Sequence, residues 1–253
     1  MHAYGPPPAY AQAVLRIIDA RTGEPLEAAP ARRGLTRVEA HASGLDPTAL
    51  RVLLVADLLV RALELGGTPV FALLTGDREK PELRAAARTL GIRPFEDGGD
   101  LGSGLGEAQV LHVTAEGGAT PGGVLVAVAP VESPTAVADL SDPGALRLAL
   151  LSHARDLPVR LDADALDEAR RTLAHWRGSV ADWARRPSRP VPDEVRGQLR
   201  AAWEDDLNVP EVLEVLRRVE SWPGLPDGAR FETYAYADRL LGLELTRDIG
   251  SLA

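Results

Sequence analysis

Residues 46–67, DPTALRVLLVADLLVRALELGG, constrain the fold more than any other stretch. Asp46 is a good helix N-cap, and Pro47 fits a first turn because its missing amide has no intrahelical acceptor there. Gly66 and Gly67 can end the helix. Between these signals the segment is apolar nearly all round. A helix without a polar face has to be sandwiched between other layers rather than lie half-exposed. Its neighbours in sequence supply such a layer. Strand-like runs stand at 13–19 (AVLRIID), 35–42 (LTRVEAHA), 68–74 (TPVFALL), 109–115 (QVLHVTA) and 123–129 (GVLVAVA). Pro81 opens a second helix, with Leu83, Ala86, Ala87 and Leu90 on one face and Gly91 after it. Strands alternating with helices predict an α/β fold: a Rossmann-like parallel sheet covered on both faces.

After about residue 140 the strand signals vanish. Residues 142–154 read as helix. In the next helix Leu166, Ala169, Leu173, Trp176, Val180 and Trp183 recur at alternating spacings of three and four, the seam of an all-α helical bundle. Residues 184–194, with three prolines, form a turn or linker, and further helices are expected near 194–206, 209–220 and 229–241. The organisation expected is a flexible arm over 1–12, a Rossmann-like domain over 13–138 and a helical bundle domain over 139–253.

Charge and composition narrow the function classes. A net charge of −9 argues against a protein that coats nucleic acid, and DNA is not an expected partner. No run of about 18 apolar residues is free of charge, so no membrane is expected. The first residues, MHAYGPPPAYAQ, lack the pattern of a signal peptide, which makes the cytoplasm the expected location. The chain has no cysteine, which excludes disulfides and thiolate metal sites.

A late stretch, WEDDLNVPEVLEVLRRVE (203–220), is more specific. Locally, Asn208 can cap a helix and Glu211, three residues on, can complete a capping box. The acidic run 204–206 reads as a solvated face, and Asp162, Asp164, Asp167 and Glu168 suit a helix N-terminus through its dipole. Yet Glu204-Asp205-Asp206-Leu207-Asn208-Val209-Pro210-Glu211 also resembles the acidic run and Phe-Asn-Thr-Pro-Glu of cysteinyl-tRNA synthetases. Residues 142–173 resemble that family's helix leading into its bundle. Residues 51–67, with Asp57, resemble the helix after its first nucleotide-binding strand. The cysteine ligase of mycothiol biosynthesis matches the α/β part about equally well.

The resemblance implies a class I ligase fold and allows its catalytic parts to be sought one by one. The His-Ile-Gly-His signature falls at Asp46-Pro47-Thr48-Ala49, and none of His2, His41, His112, His153 and His175 lies three residues from another. The lysine of the second signature belongs shortly before Arg147, where VAPVESPTAVADLSDP has none; the single lysine, Lys80, is elsewhere. Removing one donor to a transferring phosphate costs about 10²–10³ in rate, so no catalytic residue is assigned and adenylation is not expected. A remnant nucleotide site is expected at Asp46, Thr48, Arg51, Thr75 and Asp77, which leaves room for ATP as a ligand. Polar groups at the strand ends also include Asp19, His41, Ser43 and Thr114.

The family's zinc needs cysteine, so zinc and other metals are not expected in the known form. A His/Asp/Glu replacement stays open, because Glu39 and His41 sit near the first ligand's place and His112 lies on a later strand; the alternative is a partnered core histidine. The glycine-rich run 98–107 precedes a strand, the wrong order for a dinucleotide fingerprint, and reads as a loop. Across 170–200, eight arginines face three acids, a local net of +5. In the family the bundle helps hold tRNA. Arg170, Arg171, Arg177, Arg185, Arg186 and Arg189 are therefore candidate RNA contacts, against an ordinary solvated face with Trp176 and Trp183 in the core. The resulting reading is a non-catalytic relative that binds RNA, a nucleotide or a protein partner. The alternative is a diverged ligase using side chains such as Arg51.

Overall fold

Polar residues recur at every second position of TRVEAH, and this segment is the centre of the sheet. The computed structural model describes residues 14–30, 35–76, 80–97, 109–134 and 140–250. The arm expected at 1–12, the glycine-rich run and Asp77 lie outside them. Two short antiparallel strands, β1 (Arg16–Ile18) and β2 (Pro25–Glu27), come first. Then follow β3 (Thr36–His41), helix α1 (Pro47–Leu65), β4 (Val70–Thr75), α2 (Lys80–Thr89), β5 (Glu96–Asp97), β6 (Gln109–Ala115) and β7 (Val124–Val128). Strands β3 to β7 form one sheet in the order β5-β4-β3-β6-β7, and every pairing is parallel. From β3 the chain steps to β4 and β5 on one side, then returns to place β6 and β7 on the other. The strand order therefore reverses between β3 and β6, the kind of place where open α/β sheets bind ligands.

Helix α1 behaves as its sequence requires. Asp46 Oδ1 accepts from Ala49 N at 2.9 Å, Gly66 ends the helix, and all but a few of its residues are buried. It lies on the face formed by Val38, Ala40, Leu74, Leu111 and Val113, and α2 packs Leu83, Ala86 and Ala87 over the same side. On the opposite face Leu73, His112 and Thr114 are buried as well. The opposite face carries Arg37, Glu39 and His41 of β3 with His112 of β6, and an open cleft lies against it. The alternation of β3 sets this up: Val38 and Ala40 face α1, while Arg37, Glu39 and His41 are half-buried on the cleft side.

The rest is helical, as expected: α3 (Pro143–Leu151), α4 (Ala163–Trp183), α5 (Asp193–Glu204), α6 (Val209–Ser221) and α7 (Asp227–Leu241). Strand signals do not wholly vanish, for β8 (Val131–Glu132) and β9 (Val159–Arg160) form a short parallel pair. Ala169, Leu173, Trp176 and Val180 are the buried seam of α4, and both Trp176 and Trp183 meet the Tyr234 ring edge-on.

Buried charge ties the helices to the sheet layer. Asp57, 1% exposed, receives Arg61 at 2.8 Å, Arg93 at 2.9 Å and Arg147 at 3.1 Å. Arg147 also donates to Leu241 O and Leu90 O, so one guanidinium joins α1, α3 and the ends of α2 and α7. Gly242 is required beside it: its φ is +60°, and a Cβ would lie 2.8 Å from Arg147 Nη2.

Two local expectations are corrected. Asn208 Oδ1 does cap α6 through Glu211 N at 3.2 Å, but the reciprocal half of the capping box is missing, because Asn208 N bonds Ala202 O and Asp205 O while Glu211 pairs with Arg218. Nor is Asp206 part of a solvated face. Its Oδ1 accepts from Ile18 N at 2.9 Å and from Arg155 at 2.6 Å, clamping β1 to the helical region. No described helix is long and apolar enough to cross a membrane.

Candidate functional site

The loop and helix start after β3 are where the resemblance places nucleotide contacts, and the polar groups there are engaged with the protein itself. Asp46 caps α1, and Thr48 Oγ1 accepts from Val131 N at 3.0 Å. Arg51 is 1% exposed. Its Nη1 donates to Ala129 O at 2.9 Å and Leu157 O at 2.7 Å, and its Nη2 donates to Ala154 O at 2.7 Å. Burial pushes the Arg51 pKa down to about 10, partly opposed by Asp156. Thr75 is exposed at the end of β4. Beside it the backbones close up, since a Cβ on Gly76 would stand 1.9 Å from Ala42 O.

The open face of the sheet is arranged differently. Parallel register sets Glu39 opposite His112 and His41 opposite Thr114 across β3 and β6, at the reversal of strand order. His41 Nε2 lies 2.9 Å from His112 Nδ1. Glu39 Oε2 lies 3.2 Å from His112 Nδ1 and 3.7 Å from His41 Nε2. The three side chains thus turn their donor atoms toward one another, and theirs is the one such histidine–carboxylate cluster among the described residues. Arg37 Nε stands 2.8 Å from the other oxygen, Glu39 Oε1, as a charge contact without hydrogen-bond geometry. Burial lowers the pKa of both histidines. Glu39 opposes the shift in each, and His41, Arg21 and Arg37 reinforce it at His112. Both imidazoles are therefore held toward the neutral form, the form that keeps a ring lone pair.

Glu39 and His112 also line the cleft, whose volume is about 900 Å³. Its floor is the amino half of β3 and β6; its walls are the β1–β2 hairpin and the turn before β7. The hairpin is fixed to β7 by Ala20 N donating to Leu125 O at 2.8 Å and Leu125 N to Asp19 Oδ1 at 3.1 Å. Arg21 reaches across to Thr120 Oγ1 at 2.6 Å and to Gly123 O, holding the turn. Gly123 has φ +81°, and a Cβ there would meet Val110 O at 2.6 Å and the His112 ring at 3.3 Å.

The structure brings together Glu39, His41 and His112, the set that the sequence left open as a replacement for the family's ligands. The cleft wall went unseen, because the hairpin's place depends on tertiary bonds to Leu125. The polar face had a legible signal in the alternation of TRVEAH.

Most of the arginines proposed for RNA have acidic or carbonyl partners within the protein. Arg170 pairs with Asp142 and Asp167, and Arg171 with Glu168. Arg177 donates to Leu243 O and Glu244 O. Arg185 and Arg186 are exposed beside Asp182 and Asp227, and Arg189 is exposed in the turn after α4.

No family model matches the chain. Curated relatives do. The L-cysteine:1D-myo-inositol 2-amino-2-deoxy-alpha-D-glucopyranoside ligase of Streptosporangium roseum is 37% identical over 112 residues, 42% of this chain and 26% of that protein. The ligases of the same name from Acidothermus cellulolyticus and Streptomyces griseus are each 34% identical, over 105 and 108 residues. About two fifths of this chain is homologous to class I cysteine ligases. These are the mycothiol-type ligases, related to the cysteinyl-tRNA synthetases. The matched part spans about a quarter of the length of these relatives.

Proposed function

We propose that this chain is a binding protein on a class I ligase-type fold that does not form an adenylate and holds a small ligand in the cleft beside Glu39 and His112. The observation that carries the reading is Arg51. A cation that acts on phosphates must offer its N–H groups to them, and Arg51 instead donates to the carbonyls of Ala129, Ala154 and Leu157 with 1% of its surface exposed. Asp46 and Thr48 are likewise bonded to the protein backbone. The cleft, at about 900 Å³, has the size of a metabolite site and combines apolar walls at Leu26, Ala28 and Val124 with the charges of Arg37 and Glu39. This favours a small molecule over RNA as the ligand, because most of the candidate RNA arginines have acidic or carbonyl partners.

Homology to working ligases supports the other reading, a ligase that uses different side chains. Pyrophosphate exchange with ATP, cysteine, Mg²⁺ and Zn²⁺ separates the two. No exchange above the protein-free rate is expected, while cysteine-dependent exchange would show the chain to be a ligase.

A further inference from the structure

The three donors on the open face have the dimensions of a metal site. The edges of their triangle, 2.9, 3.2 and 3.7 Å, place every corner about 1.9 Å from a common centre. Zinc bonds to imidazole nitrogen and carboxylate oxygen are about 2.0–2.2 Å long. An ion slightly above the plane of the three atoms therefore reaches all of them at normal length with little side-chain movement. We infer that Glu39, His41 and His112 bind one divalent transition ion, with zinc as the best fit, through Glu39 Oε2, His41 Nε2 and His112 Nδ1.

The donor set fits this class of ion. Two imidazoles and one carboxylate suit zinc and its neighbours, whereas calcium and magnesium take oxygen ligands. Each imidazole then carries its proton on the far nitrogen, Nδ1 of His41 and Nε2 of His112. Arg37 stands beside the non-ligating oxygen of Glu39 as a charge partner. The strands make the arrangement rigid, since Glu39 and His112 are register partners and His41 is one pleat along the same face. Three protein ligands leave a fourth position open, and Glu39 and His112 both border the cleft. One carboxylate leaves the ion with net positive charge beside Arg37, while Asp19 and Glu27 also line the cleft, so the open position suits a small ligand with a donor atom for the metal. This deepens the reading of the cleft as a ligand site. It does not depend on whether ATP is used.

The bland alternative is a pair of hydrogen-bonded histidines beside a carboxylate. Tag-free protein, stripped with chelator, exchanged against Zn²⁺ and dialysed, decides between them by elemental analysis. One zinc per chain is expected. Glu39→Gln and His41→Asn should each weaken binding by more than the roughly 10–100-fold that losing an outer partner costs, and His175→Ala should change nothing. Cobalt in place of zinc should give the strong visible bands of a four-coordinate site, and these should disappear in His112→Asn. Circular dichroism reports the fold of each variant, and the isosteric Glu39→Gln keeps the test valid if His112→Asn does not fold. Folded protein with no bound zinc would overturn the inference, as would full retention of zinc in the Glu39→Gln/His41→Asn double variant. Either failure leaves the exchange assay untouched, because that assay reads adenylation and this one reads metal.

Discussion

The two sides of the sheet around β3 use polar residues in opposite ways. On the helix-covered side, Arg51, Asp57 and Arg147 are buried and bonded to backbone carbonyls or to one another across α1, α3 and α7. On the open side, Glu39, His41 and His112 point at one another with a cleft beside them. Buried polar groups that hold separate elements together act as structure. Those that converge on a common point from adjacent strands, next to accessible space, carry the proposed ligand site. The polar groups at the start of α1 are thus tied into the framework, and the converging polar groups lie on the open face.

The difference can be broken most forcefully at Asp57. Its carboxylate holds Arg61, Arg93 and Arg147, and removing it leaves Arg147 charged and buried. Asp57→Ala should cost about 3–5 kcal/mol in urea unfolding, while Glu39→Gln in the metal-free protein should cost about 1 kcal/mol. A reversed order would place structure on the open face. The pH dependence has a defined sign. Burial alone would raise the Asp57 pKa, but Arg147, Arg61 and Arg93 bring it below the ordinary carboxylate value. The unfolded chain therefore takes up this proton first as pH falls. The contribution is full above the ordinary value of about 3.9 and is lost as pH drops through the lower folded value. Asp57→Asn should flatten that part of the acid limb of the stability profile.

Arg51 is the next test. Arg51→Met removes the guanidinium from three carbonyls, of which Ala154 O keeps Leu157 N as a donor, and should cost about 2–4 kcal/mol, with no change in any response to ATP. If the variant were stable but lost an ATP response, Arg51 would belong to a site after all. A smaller effect is expected at Gly123. Gly123→Ala strains a positive φ and drives a methyl into Val110 O and the His112 ring, costing about 1–3 kcal/mol. It should also weaken metal binding, which sharpens the link between the cleft wall and the histidine.

Much of the framework was legible. The capped, all-apolar helix forced a layered α/β fold, and the seam of α4 followed from its spacing. The candidate site was legible in pieces, since Glu39, His41 and His112 stood out as residues but their meeting depends on the register of β3 against β6. Sequence reasoning went astray where long-range bonds decide. Asp206 looks solvated until Arg155 and Ile18 reach it, and Arg51 looks available until the segment 154–157 folds over it.

The most direct measurement is calorimetric titration of metal-free, tag-free protein with Zn²⁺ and, separately, with Mg²⁺–ATP. Saturable one-to-one binding of zinc and no binding of ATP are expected. Saturable ATP binding with none of zinc would return the chemistry to the nucleotide end and contradict a ligand site on the open face.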